Sequence, residues 1–277
     1  MGGKGHSVRG GIAMGHVRLG RLPKTLHWQG VVGLLDQSPD DVAGVARATV
    51  TAAEGRLREL SRDPSLVYCF WVLARLAAAA REPHFADATA ALGIASDDGD
   101  SALAFIARVN ERVHAELRDY PESGPFSELA SLALRRALSE TVGQEGRSLF
   151  GSSLEDLQQA FRTHSTPVRF GALAKSFFGD FLARTLRYFV DKELANTVGS
   201  GNKLRSLEAS RDFSAALDLY ARQSARIMED FAGDWYSKHN WESSGRISRE
   251  ESERFTAHAL RKLRSELTRS ELAGAAS

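Results

Sequence analysis

The amino-acid sequence predicts an all-α fold, an irregular bundle of about nine helices around a buried central helix at residues 167–194, entered by a short extended N-terminal arm. Three observations carry this. Between Pro167 and Leu194, at ~100° per residue, Phe170, Leu173, Phe177, Phe178, Phe181, Leu182, Leu186, Phe189 and Val190, with Val168, fill most of the helical circumference. Arg169, Ser176, Asp180, Arg184, Arg187 and Asp191 share the remaining stripe, so the helix is expected to be wrapped on all sides but one edge that reaches water. A second segment, Ser65 to Arg81, is apolar nearly all round through Tyr68, Phe70, Trp71, Val72, Leu73 and Leu76. Third, prolines and capping residues divide the rest of the chain into further segments of helical period.

Taken in order, residues 1–13 are glycine-rich and are expected to be disordered, and Met14 competes with Met1 as the start. His16 to Leu22 alternates weakly before Pro23 and reads as an extended arm, since a full strand would have no partner. Trp28, Val31, Val32 and Leu35 mark a short helix. Ser38-Pro39-Asp40-Asp41 then opens a helix carrying Val42, Val45, Thr49, Ala53, Leu57 and Leu60, which stops at Asp63-Pro64. After the apolar helix, Pro83 breaks the chain, a short Ala-rich helix reaches Leu92, and Gly93 to Gly99 forms an acidic loop expected outside. Asp100 or Ser101 starts an amphipathic helix with Leu103, Ile106, Val109, Val113 and Leu117, and Pro121 to Pro125 links it to one carrying Leu129, Leu132, Leu134, Leu138 and Val142. Glycines at 143, 146 and 151 loosen the chain, so residues 14–277 read as one helical domain or as two lobes, 25–145 and 152–268.

Ser152-Ser153-Leu154-Glu155 caps a short helix with Leu157 and Phe161, and Ser165 or Thr166 caps the central one, where Pro167 fits the first position. Gly171 and Gly179 interrupt its bulky surface and would admit a neighbouring helix closely. Asp180 with Arg184, and Arg187 with Asp191, read as exposed pairs worth a few tenths of a kcal/mol each. A turn run at Asn196–Gly201 ends the helix. A long helix follows from about Ser210 to Trp235, with Phe213, Ala216, Leu217, Tyr220, Ile227, Met228 and Phe231 on one face and Asp218, Arg222, Arg226, Glu229 and Asp230 on a solvated one. Trp235 to Ile247 reads as irregular. Ser248 to Glu251 is a capping box for a last helix with Phe255, Ala259, Leu263 and Leu267, and the tail after Ser270 is expected to fray.

Composition narrows the functional classes. At 277 residues the chain can bury a large core without disulfides, and its one cysteine, Cys69, sits in an apolar run as a small hydrophobe. A net charge of +1 gives no global pull toward nucleic acid or an anionic membrane. The longest apolar region, Leu66 to Ala80, contains Arg75 and falls short of the ~20 residues that span a bilayer, and no secretory pattern opens the chain, so a cytoplasmic location is expected. Abundant Ala and Arg with few Lys suggest a bacterial gene.

Motifs that carry chemistry do not complete themselves. Glu111 and His114 have the spacing used in carboxylate-bridged metal bundles, but no second such pair exists. His114-Ala-Glu116 echoes the zinc deaminase triplet, which needs more cysteines than one. Gly199-Ser-Gly-Asn-Lys203 has the residue types of a phosphate loop without its order or a preceding strand. No metal or cofactor is expected. The segment Asp234 to Trp241 is the most unusual composition: Trp235, Tyr236, Lys238, His239 and Trp241 crowd an expected loop, and aromatic-plus-polar loops recur at binding surfaces. The competing reading, that Trp235 and Trp241 staple two helix ends while Lys238 and His239 face water, is the stronger on packing grounds. The N-terminal arm, with Arg18, Arg21 and Lys24 before Trp28, is a second candidate binding element.

With no paired catalytic groups, interaction is the default expectation: a non-enzymatic helical scaffold or adaptor for a protein partner, within a bacterial multi-protein system. The alternative is a small-molecule enzyme with its site near 234–241, using Asp234, Tyr236 and either Lys238 or His239 as acid/base. A third is weak nucleic-acid binding through Arg261, Lys262 and Arg264 of the C-terminal helix. A partner module should bare an apolar patch near Trp28 or Trp241.

Overall fold

The structure, a computed structural model, describes residues 26–38, 41–97, 101–142, 153–197 and 207–269. Every regular element among them is helical. The order is α1 (Leu26–Gln37), α2 (Val42–Ala52), α3 (Glu54–Leu60), α4 (Pro64–Ala79), α5 (Phe85–Ala90), α6 (Ala102–Leu117) and α7 (Pro125–Glu140). There follow α8 (Leu154–Thr163), α9 (Pro167–Thr197), α10 (Leu207–Ser224), α11 (Met228–Glu242) and α12 (Arg249–Arg269), with 3₁₀ turns at Pro121–Ser123 and Ala225–Ile227. Among the described residues no helix is long and apolar enough to cross a membrane. The leader at 1–13, the arm with Arg18, Arg21 and Lys24, the break near 145–152, the glycine loop with Lys203 and the tail after Ser270 lie outside the described residues.

The expected central helix is central. Phe170, Phe177, Phe178, Phe181, Leu186, Phe189 and Val190 of α9 are buried, whereas Val168, in its first turn, is 80% exposed. α9 packs most extensively on α11, then on α10 and α7, and α4 packs on α7 and α12. Phe70 of α4 joins these layers, with ring centroids 5.3 Å from Phe178, 5.3 Å from Trp235 and 4.7 Å from Phe255. Each such buried ring contributes roughly 2–3 kcal/mol of transfer free energy. Trp71 donates its indole N–H to the Ile247 carbonyl at 2.9 Å, and Arg249 lies 4.7 Å from the Tyr68 ring while pairing with Glu116 at 2.7 Å, which fastens the start of α12 to α4 and α6.

Gly171 and Gly179 of α9 admit a neighbour as expected, Gly179 at Ala225, and Gly233 of α11 does the same from the other side. A Cβ on Gly171 would lie 1.8 Å from the Glu229 carbonyl oxygen, and one on Gly233 would lie 2.5 Å from that of Pro167. The two helices therefore touch backbone to backbone at two points, a separation only glycine allows.

The polar stripe of α9 reaches water at its ends, where Arg169 and Asp191 are exposed, but its middle corrects the expectation of a water-facing edge. Asp180 is 1% exposed and receives hydrogen bonds from Arg184 and, at 2.6 Å, from Arg222 of α10, with Arg136 of α7 at 3.5 Å. Arg187 bonds Asp218, and Lys175 reaches Glu229 at 2.6 Å. Asp218, Arg222 and Glu229 thus pair with α9 while staying partly exposed. The middle of the stripe faces side chains of complementary charge, which is how the buried Asp180 carboxylate is tolerated.

Four boundaries differ from expectation. The helix expected from Pro39 is capped by Asp41, which accepts from Gly44 N at 2.8 Å, and it bends at Ala53. The predicted Ser210–Trp235 helix is broken by the 3₁₀ turn at Ala225–Ile227, where Ala225 meets Gly179, so that α10 and α11 each follow part of α9. The segment expected to be irregular is helical up to Glu242, because Met228, Ala232 and Tyr236 recur at helical spacing on the buried side, and their burial overrides weak local propensity. Ile94 in the acidic loop is 1% exposed and anchors it inward.

Capping chemistry holds elsewhere. Ser153 and Asp156 form a reciprocal box at α8, and Ser248 and Glu251 form one at α12. Leu103, expected on the apolar face of α6, is 63% exposed. Cys69 is buried as a small hydrophobe, and burial pushes its thiol pKa up.

Candidate functional site

The residues singled out between 234 and 241 lie on the C-terminal half of α11, and the helix distributes them over separate faces. Trp235 and His239 stand one turn apart, with ring centroids 5.0 Å apart, and Trp235 also packs on Phe255 at 4.6 Å. Tyr236 points the other way. It is 1% exposed and stacks on Phe170 at 4.1 Å. Lys238 is exposed, with Nζ 4.0 Å from Glu242. Trp241 is 85% exposed, so the expectation that both tryptophans staple helix ends holds for Trp235 alone.

Two hollows flank this half-helix. The first is a cleft of about 460 Å³ with walls from the end of α4, the start of α9 and α11, and with the turn at Ser244–Gly245 at its edge. Gly245 at φ +79° closes α11 by donating to the Asn240 carbonyl at 2.9 Å, a conformation that glycine adopts without strain. Arg81 lines the cleft, giving its Nε–H to Ser165 Oγ at 3.0 Å and an Nη2–H to the Ser165 carbonyl at 2.7 Å. Ser165 is thereby taken from the capping role expected of it, and the Thr166 carbonyl accepts the first helical bond, from Phe170 N at 2.8 Å. The Tyr236 hydroxyl and Asn240 Oδ1 are buried without a hydrogen-bond partner among the described residues. Burial drives the Tyr236 pKa well up, with Arg81 opposing, so the hydroxyl is a neutral donor at any ordinary pH.

The second is a shallow groove of about 530 Å³ between α11 and α12, bordered by Trp235, His239, Glu251 and His258. His239 Nδ1 lies 3.0 Å from Glu251 Oε1, while Glu251 Oε2 accepts from Ser248 N and Oγ, each at 2.7 Å. Partial burial works against the charged Glu251, but the Ser248 N–H, the Ser248 hydroxyl and the His239 ring outweigh it and hold its pKa below the usual carboxylate value. A His–Glu dyad can move protons. Here the serine bonds the carboxylate and not the imidazole, and the arrangement ties the end of α11 to the cap of α12.

The other candidates do not join this site. The side chain of Trp28 lies outside the described residues, as do Arg18, Arg21 and Lys24. His114 is half-buried, with Nε2 at 3.3 Å from Ser131 Oγ on α7. Its partner in the metal spacing, Glu111, is exposed, and no group of three or more metal-ligating side chains occurs among the described residues. Sequence reasoning missed Arg81 and Asn240. Arg81 carried one usable signal, a charged residue ending an otherwise apolar helix, whose head must leave the core at that end. No protein-family model matches this chain, no curated protein is matched by its sequence, and no solved structure matches its fold.

Proposed function

We propose that this chain is a non-enzymatic helical scaffold or adaptor that binds a protein partner through the Trp241 end of α11, as a component of a bacterial multi-protein system in the cytoplasm. One observation carries the reading: Trp241 stands 85% exposed at the mouth of the cleft that holds Arg81, Tyr236 and Asn240. Leaving an indole in water forgoes roughly 4–6 kcal/mol that its burial would contribute before the costs of association, and tryptophan dominates interface hot spots. The Tyr236 hydroxyl and Asn240 Oδ1 lie buried behind the cleft without a hydrogen-bond partner among the described residues, so a partner side chain would satisfy them only where the lining shifts to admit it.

The test is affinity purification from the native host with wild-type and Trp241→Ala bait. A discrete protein that co-elutes with the wild type and is lost with the variant is the expected result; recovery of the bait alone as a monomer would sink the reading. The His239–Glu251 dyad favours a second reading, a small-molecule enzyme. It predicts a turnover that His239→Gln abolishes while partner capture persists.

A further inference from the structure

A second surface, sharing no lining residue with the cleft at Trp241, runs between α3 and α12. Its main hollow, about 710 Å³, brings Arg58 and Arg62 of the α3 end to face Arg261 and Arg264 of α12. A smaller hollow continues it past Arg261 and Arg264 to Thr268. Measured along α12 from Ala257 to Thr268 the furrow is about 16 Å long, the span of about five residues of extended chain. Four guanidiniums line it against two carboxylates, and one of these, Glu59, is held by Arg56 at 2.7 Å. Glu54 sits between Arg58 at 3.1 Å and Arg264 at 3.7 Å. Arg62 and Arg261 are exposed and have no ion-pair partner among the described residues. In a chain of net charge +1 this is a local concentration of positive charge.

We infer that the furrow takes an acidic, Asp/Glu-rich segment of a protein partner. Glu54 shows the binding mode within the molecule: a carboxylate bridged by guanidiniums from both walls, with Arg62 and Arg261 left to hold further ones. A nucleic-acid backbone fits less well, because among the described residues no aromatic side chain lines the furrow to stack on a base, and the small total charge supplies no long-range field for a polyanion. The inference rests on the reading of the chain as a protein-binding module and adds a surface of different chemistry.

The experiment measures anisotropy of a fluorescein-labelled peptide alternating glutamate and alanine, and of a labelled DNA duplex, at low and raised salt. The peptide should bind at low salt, and Arg62→Glu/Arg261→Glu should weaken it by about tenfold or more. Arg118→Glu/Arg135→Glu removes equal charge from exposed positions elsewhere and should change affinity by less than about twofold. If the reversed pair disturbs the helical circular dichroism, Arg62→Gln/Arg261→Gln is read in its place. Absence of peptide binding, equal loss in both double variants, or tighter binding of the duplex than of the peptide would overturn the inference. Trp241→Ala should bind the peptide as wild type does, so failure at the furrow and failure at Trp241 are read separately.

Discussion

The two flanks of α9 are held by opposite means. Toward α11 the helix is bare at Gly171 and meets a bare Gly233, and the contact is backbone against backbone. Toward α7 and α10 it presents Asp180 to guanidiniums from its own helix and both neighbours. The first flank is governed by volume and tolerates no added atom; the second is governed by charge balance and tolerates atoms but not the loss of a sign. One helix can therefore be loosened on either side by changes that leave the other side intact.

The largest effect should come from breaking the steric flank. In Gly171→Ala the methyl would meet a main-chain carbonyl, which cannot swing aside, so the helices must separate. We expect about 3 kcal/mol or more of destabilisation by urea unfolding, against a helix-propensity gain of roughly 1 kcal/mol. Asp180→Asn attacks the other flank. It leaves the arginines facing one another, and because they are partly exposed we expect about 2 kcal/mol, lessened by added salt, whereas the Gly171→Ala loss should not respond to salt in that way.

Gly179→Ala sharpens the steric comparison. Its Cβ would lie 3.3 Å from the Ala225 methyl, which can give by tenths of an ångström, so the net change should stay under about 1 kcal/mol. The smallest effect belongs to the dyad that closes α11 on α12. The folded-state pKa of Glu251 is depressed, so its contribution is complete at neutral pH and is lost as pH falls through that depressed value. Plotted against pH, the Tm of Glu251→Gln should lie slightly below wild type near neutrality and converge with it in acid.

These differences explain what could be read from sequence. Periodicity and caps are local, so α4, α8, α9 and α12 were legible from Ser65, Ser153, Pro167 and Ser248 onward, and two glycines in a phenylalanine-rich helix already implied close approach. The charged stripe was not legible. Asp180 beside Arg184 has the same pattern whether it faces water or the Arg222 of a helix forty residues on. The site was half legible: composition pointed to 234–241, but reading it as a loop hid that a helix would send Trp235 and Tyr236 to opposite sides and leave Trp241 bare. Arg81 and the furrow arginines Arg58 and Arg62 come from distant segments, which only the packing brings into place.

The paired carbonyl contacts at Gly171 and Gly233 also act as a key between two rods. Sliding α11 along α9 by a single residue would push a side chain into main chain, so their register has no nearby alternative. Because those rods form two walls of the opening beside Trp241, its outline is set before anything arrives. A partner of the kind proposed would have to match that outline, and the main loss on binding would be its own freedom.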